Sequence, residues 1–224
     1  MDNPFQTPLP FKEAIISYSI SGNQKGTQTT YIKEYGKKRA IYRHSHAKIM
    51  HTNKYDDTLI MIDENWTYTI NLKTKEAIKE PSLNKLLINE FNKLTKKEQD
   101  FIKKKKTKRI LDFDCQTISI DGVLRYVTKK GNLLMRSRAS IMGYNTQTIA
   151  SSINIVDLND TPFTLPKDLK IREKKADTAK AKKIIEALLK KEHEKREKYA
   201  LDYQSIIQEG IDALKGTSNK STLE

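Results

Sequence analysis

Ile15-Ile16-Ser17-Tyr18-Ser19-Ile20-Ser21-Gly22-Asn23-Gln24-Lys25-Gly26 is the stretch that decides the fold class. Ile16, Tyr18 and Ile20 alternate with serines, so one face of an extended strand is apolar and the other polar. Gly22 to Gly26 then carries turn chemistry that returns the chain antiparallel to itself. The same grammar extends outward on both sides. A strand runs from about Thr27 to Tyr35, Gly36-Lys37-Lys38 turns it, and Arg39 to Arg43 and Ala47 to Thr52 continue the meander. Tyr55-Asp56-Asp57 opens the apolar strand Thr58 to Ile62. Asp63-Glu64-Asn65 is a tight turn, after which Trp66, Tyr68, Ile70 and Leu72 share one face of the following strand.

The period then changes. Pro81-Ser82 opens a helix on which Leu83, Leu86, Leu87, Phe91 and Leu94 recur at helical spacing, and Thr95-x-x-Glu98 forms a capping box for a second short helix. That helix ends in Lys103 to Lys106, cations at the negative end of its dipole. Strands resume at Ile110 to Phe113, Cys115 to Ile120, Val123 to Thr128, Leu133 to Ile141 and Thr146 to Val156, divided by Asp121-Gly122, Lys130-Gly131-Asn132 and Gly143-Tyr144-Asn145. About ten strands at this spacing predict a large antiparallel sheet, sandwich or barrel, with a helical insert over about 81–106. The expected domain is 1–166. Residues 167–215 read as a charged helical extension, with a helix from about Asp177 to Lys215. Residues 216–224 read as a polar, disordered tail. The extension either packs back on its own domain through its apolar ends or serves as an arm that binds a partner or self-associates.

Composition narrows the function. The chain of 224 residues has 42 Lys+Arg against 28 Asp+Glu, a formal charge of +14. Residues 167–224 hold a net +4 of this, leaving +10 on residues 1–166. The longest apolar cluster, Leu59-Ile60-Met61-Ile62, is far short of the ~18 residues of a membrane-crossing helix, and a mean hydropathy of −0.70 argues against an integral membrane protein. Cys115, the single cysteine, excludes an internal disulfide and a thiolate metal cluster. The start, Met1-Asp2-Asn3-Pro4-Phe5, shows no signal peptide, while Leu223-Glu224 has the look of a cloning scar. A leader already removed is therefore the expectation.

Catalytic constellations are absent from the sequence. His44 and His46 would share a strand face, with His51 nearby, but no carboxylate or thiol at suitable spacing completes a metal site. Asp112 and Asp114 could mimic an acid/base pair, or form a solvated strand face. Nothing near Cys115 in sequence lowers its pKa, and no phosphate-binding glycine loop, nucleophile elbow or zinc-helix motif occurs. The chain is expected to be no enzyme, with no metal and no cofactor. Nucleic-acid binding would rest on charge together with Tyr18, Tyr31, Tyr35, Tyr42, Trp66 and Tyr68, and it ranks lowest because those aromatics coincide with the face that must pack. Lys103, Lys104, Lys105, Lys106, Lys108 and Arg109 are candidates for contact with anionic lipid headgroups, or simply a solvated helix end.

Two blocks resemble a bacterial family. Ile15 to Gly22 with Gln24-Lys25-Gly26-Thr27, Tyr35 to Lys38, Leu59 to Asp63 and Trp66 to Leu72 look like the first half of the periplasmic proteins related to the lipoprotein carrier LolA. Cys115, Gly122, Tyr126 to Met135, Ile141-Met142-Gly143 and Pro162 to Pro166 are similar in order and spacing to that family's later strands and closing loop. The resemblance covers about 11–170. It implies an α+β fold in which a large curved antiparallel sheet, a half-barrel, wraps the helical insert and leaves an apolar cavity. It further implies a periplasmic binding or carrier protein for a lipid, an acylated protein or another apolar ligand. Tyr18, Ile20, Trp66, Tyr68, Ile70, Leu83, Leu87 and Phe91 are then the expected cavity-lining residues, unless they close into a filled core. Expected partners are that ligand, a lipoprotein or anionic membrane surface, and a second copy of the chain through the C-terminal helix.

Overall fold

The computed structural model describes residues 3–49, 52–141 and 143–190. Met1–Ala187 forms one compact unit. Its frame is a single open sheet of twelve strands. In chain order these are β1 Ala14–Gly22, β2 Gln24–Lys33, β3 Lys38–Ile49, β4 Thr52–Ile62, β5 Trp66–Asn71, β6 Glu76–Pro81, β7 Lys108–Ile110, β8 Phe113–Ile120, β9 Val123–Thr128, β10 Leu134–Ile141, β11 Tyr144–Asn154 and β12 Lys170–Glu173. Across the sheet the order is β12-β6-β5-β4-β3-β2-β1-β11-β10-β9-β8-β7. The two meanders seen in the sequence therefore meet at the β1–β11 seam, where β1 pairs antiparallel to β11 with a bulge at Ser17/Tyr18.

The sheet is mixed rather than wholly antiparallel, because β12 pairs parallel to β6. β12 lies in the segment expected to begin the helical extension, and helix starts only at 178, continuing to the end of the described residues. The rest of the long helix and the tail lie outside the described residues. β3 and β4 are longer than the sequence suggests. His44 to His46 and Tyr55 to Asp57 stay in register as paired strand. Cross-strand ion pairs make charged strand positions tolerable there: His44 Nδ1 lies 2.9 Å from Asp57 Oδ1, and Arg43 Nε 3.3 Å from Asp56 Oδ2. Asp112 does not share a strand face with Asp114. Leu111 and Asp112 adopt positive φ (44° and 65°) in the β7–β8 turn, where Asp112 pairs with Arg109 at 3.3 Å.

The insert consists of α1, Leu83–Asn92, and α2, Lys96–Lys104. The capping box read at Thr95 is present: Glu98 N donates to Thr95 Oγ1 and the Glu98 carboxylate accepts from Thr95 N. Residues 82–107 connect β6, beside one edge of the sheet, to β7 at the other. A connection that crosses the sheet must lie over one of its faces, which is why α1 and α2 each present an apolar stripe. Leu87, Phe91 and Ile102 are buried at 1% exposure.

The sheet coils. In the sheet β3 and β10 are four strand spacings apart, about 19 Å if the sheet were flat, yet Arg39 of β3 donates to the Gly131 and Asn132 carbonyls in the β9–β10 turn. Leu9 fills the resulting corner. A Cβ on Gly131 would lie 2.5 Å from Leu9 Cγ, and one on Gly36 2.8 Å from Leu9 Cδ1; both glycines also hold positive φ. Only a residue without a side chain fits at either position.

Register divides the apolar residues between two faces. Tyr18, Gln28, Arg43, Thr58 and Asn71 are successive cross-strand neighbours from β1 to β5, and so share one face. Ala14, Ile16, Tyr18 and Ile32 of that face cluster with Leu9, Phe11, Cys115, Leu133, Met135 and Ala150. On the opposite face Ala40, Leu59, Ile70 and Ala77 form a second cluster, flanked by Tyr31, Tyr42, Met61, Tyr68, Phe163 and Leu169. The chain leaving β11 covers this face, fixed by the Tyr42 hydroxyl donating to Pro162 O (3.1 Å) and Lys33 pairing with Asp160 (2.8 Å).

Candidate ligand cleft

The N-terminal segment is tied down at both ends. Asn3 Nδ2 donates to Asn92 Oδ1 (3.0 Å) and Asn84 Nδ2 to Phe5 O (3.0 Å), while the Phe5 ring meets Phe91 edge to face at 5.8 Å. Further on, Leu9 N donates to Tyr35 O and Tyr35 N to Lys12 O, each at 3.0 Å. The segment thus leans on α1 at its start and on the β2–β3 turn at its end. Between these anchors a cleft of about 530 Å³ remains, within the ~300–1,000 Å³ range of small-molecule sites. Phe5, Pro8, Ile62, Leu83 and Ile88 give it apolar wall; Gln6, Arg39, Thr67, Asn84 and Asn132 are among its polar lining, and Lys37, Asp63, Glu64 and Lys85 also border it.

The other charges bordering the cleft have partners: Lys85 Nζ donates to Asn65 Oδ1 (3.1 Å), and the rest pair with one another or with their own turn. Lys37 Nζ lies 2.7 Å from Glu64 Oε1, a bond that raises the Lys37 pKa above its ordinary value. Asp63 Oδ1 accepts from the backbone N–H groups of Asn65 (2.8 Å) and Trp66 (2.7 Å). Arg39 is different. Its Nε donates to Gly36 O at 3.0 Å and its two Nη atoms to Asn132 O and Gly131 O, and no carboxylate among the described residues pairs with it. Burial pushes its pKa down to about 10. Beside it the Tyr18 hydroxyl donates to Leu134 O (2.8 Å), and burial raises that phenol to about 12.

Of the eight expected lining residues, Leu83 alone lines this cleft. Tyr18 and Ile20 are buried on the β1 face, Leu87 and Phe91 are buried beneath α1, and Ile70 and Tyr68 belong to the cluster on the opposite face. Trp66 is 37% exposed with Lys79 Nζ 4.3 Å over its ring. The sheet register keeps Trp66, Tyr68 and Ile70 from facing Tyr18, since they stand on alternate positions from Thr67 and Thr69.

The basic run lies at the end of α2 and on β7. Lys103 Nζ is 5.9 Å over Phe91 and Lys108 Nζ 5.7 Å over Tyr126. Arg109 pairs with Asp112, Lys105 is half-buried, and Lys104 and Lys106 are exposed. His46 stacks beside Tyr55 (6.3 Å), and His51 lies outside the described residues. Among the described residues no three His, Cys, Asp or Glu side chains gather as a metal site.

Phe5, Pro8, Arg39, Ile62 and Ile88 were not singled out by the sequence. Phe5 and Pro8 precede the first periodic strand, Arg39 reads as one more cation at the start of a strand, and Ile88 falls beside the stripe made by Leu87 and Phe91. The only signal was the apolar Leu59 to Ile62 run, which identifies a strand and not a wall.

No protein-family model and no curated protein matches the chain. Among solved structures, the chain is similar to an uncharacterized conserved protein from Thermus thermophilus at 10% identity, covering 74% of this chain and 92% of that one, with a TM-score of 0.44. It is also similar to a LolA superfamily protein from Nitrosomonas europaea at 12% identity, covering 72% and 94%, with a TM-score of 0.29.

Proposed function

We propose that the protein is a non-enzymatic binding or carrier protein whose cleft takes an apolar ligand, a lipid or the acyl portion of an acylated protein. The observation that carries this reading is the cleft of about 530 Å³ between the N-terminal segment and α1, with Phe5, Pro8, Ile62, Leu83 and Ile88 in its wall. Apolar surface left open to water is unfavourable, and covering it with a ligand chain recovers about 25 cal/mol per Å². The resemblance read from the sequence adds the periplasm as the compartment. The exposed lysines at the end of α2 suit the approach to an anionic membrane or lipoprotein.

Native mass spectrometry of the protein expressed in bacteria, followed by titration with a polarity-sensitive fluorescent fatty acid, tests the reading. The expected result is a co-purifying lipid or saturable uptake of the probe, lost in Leu83→Asp while far-ultraviolet circular dichroism is retained. No bound lipid together with no uptake overturns it.

A further inference from the structure

Among the described residues Arg39 is a cation without an anion. It sits on β3 where the β2–β3 and β9–β10 turns converge, and it lines the same cleft as the apolar side chains. Three of its five N–H groups are held by carbonyls of Gly36, Gly131 and Asn132. Carbonyl dipoles orient a guanidinium and solvate it in part, but they leave its full unit charge uncancelled, and on this half-buried side chain part of the hydration is lost with no opposite charge to replace it. The acidic residues of the cleft do not supply that charge: Glu64 is taken by Lys37 and Asp63 by the backbone of its own turn.

A second feature has the same polarity. Ser82, Leu83, Asn84 and Lys85 bring the start of α1 to the cleft, and Ser82 makes no side-chain cap bond there. The positive end of a ten-residue helix, with its first-turn N–H groups, therefore borders the cavity that holds Arg39. Two N–H groups of Arg39, one on each Nη, remain to donate to a carboxylate or phosphate.

We propose that the ligand of this cleft is an anionic single-chain amphiphile, whose carboxylate or phosphate head meets Arg39 while its chain lies against Phe5, Ile62 and Leu83. This rests on the reading of the cleft as an apolar-ligand site and names the class of ligand. Arg39 then has two tasks: it staples the two turns and neutralises the head of the bound ligand.

The test compares cis-parinaric acid with its methyl ester, which share a chain and differ in the charge of the head, by fluorescence titration of the full chain above pH 8. The acid is expected to bind about tenfold or more tightly than the ester, with the preference falling as salt is raised. Arg39→Gln should bring the two ligands to equal affinity, and Arg39→Lys should keep part of the preference. Equal binding of acid and ester by the wild-type protein overturns the proposal while leaving the apolar site standing; binding of neither overturns both. The wild-type comparison needs no variant to fold. Displacement of the acid by lysophosphatidic acid but not by inorganic phosphate is the expected competition result. Displacement by inorganic phosphate alone would assign Arg39 to a free anion and overturn the amphiphile.

Discussion

Two neighbouring regions of one sheet face treat their apolar surface in opposite ways. At the β1–β11 seam, Leu9 and Phe11 drop onto Ala14, Ile16, Ile32, Met135 and Ala150, and the cluster closes. A few residues earlier the same N-terminal segment stands off the sheet against α1, and the space beneath Phe5 and Pro8 stays open. The difference is one of anchoring. Leu9 is gripped between Gly36 and Gly131, whereas Phe5 has found its partner in Phe91 of α1 and is drawn away from the strands. Filling and opening are set by which side chain of a single extended segment reaches which neighbour.

The comparison breaks most severely at Leu9. Leu9→Ala should destabilise the fold by about 2–5 kcal/mol through the cavity it leaves, read as a lowered denaturant midpoint at unchanged slope. Gly131→Ala should cost about 1–3 kcal/mol, from a left-handed backbone and a Cβ forced against Leu9, and should be measurable in the same unfolding curve. A result near zero for both would show that this corner is not packed as described.

The closed region also has a pH signature. Burial raises the Cys115 thiol from 9.0 to about 11, so the neutral thiol is favoured in the folded state. Its contribution is complete below the unfolded value and is lost as pH rises from 9 toward 11, with a slope of at most about 1.4 kcal/mol per pH unit. Stability measured between pH 9 and 10, mostly below the values to which Arg39 and Tyr18 are shifted, should fall in the wild type and fall less in Cys115→Val. The open region should respond least in stability. Leu83→Ala, at a half-buried wall position, is expected to cost under about 1 kcal/mol while weakening fatty-acid binding severalfold. An equal loss of stability in Leu83→Ala and Leu9→Ala would erase the distinction between wall and core.

Much of the frame was legible because strand patterning is local. The serine alternation through Ser17 to Ser21 identified β1, Asp121-Gly122 marked the turn between β8 and β9, and Thr95 with Glu98 identified the start of α2. Glu76–Pro81 and Lys170–Glu173 were not legible as strands. They are short and charged, and their strand form comes from pairing with each other and from β5. The cleft was legible only at Leu83. Tyr18 and Ile70 look alike in sequence, both apolar positions in alternating strands, and nothing local says that the register carries them to opposite faces.

The sequence by itself determined the alternation of each strand, the position of the helical insert, the capped start of α2 and the excess of positive charge, since each depends on residues within a turn or two of one another. The tertiary structure decided the β1–β11 seam, the coiling that brings Arg39 to the β9–β10 turn and the lining of the cleft. Those depend on contacts such as Arg39 with Asn132 and Asn3 with Asn92, between residues about ninety positions apart, whose meeting no local period encodes.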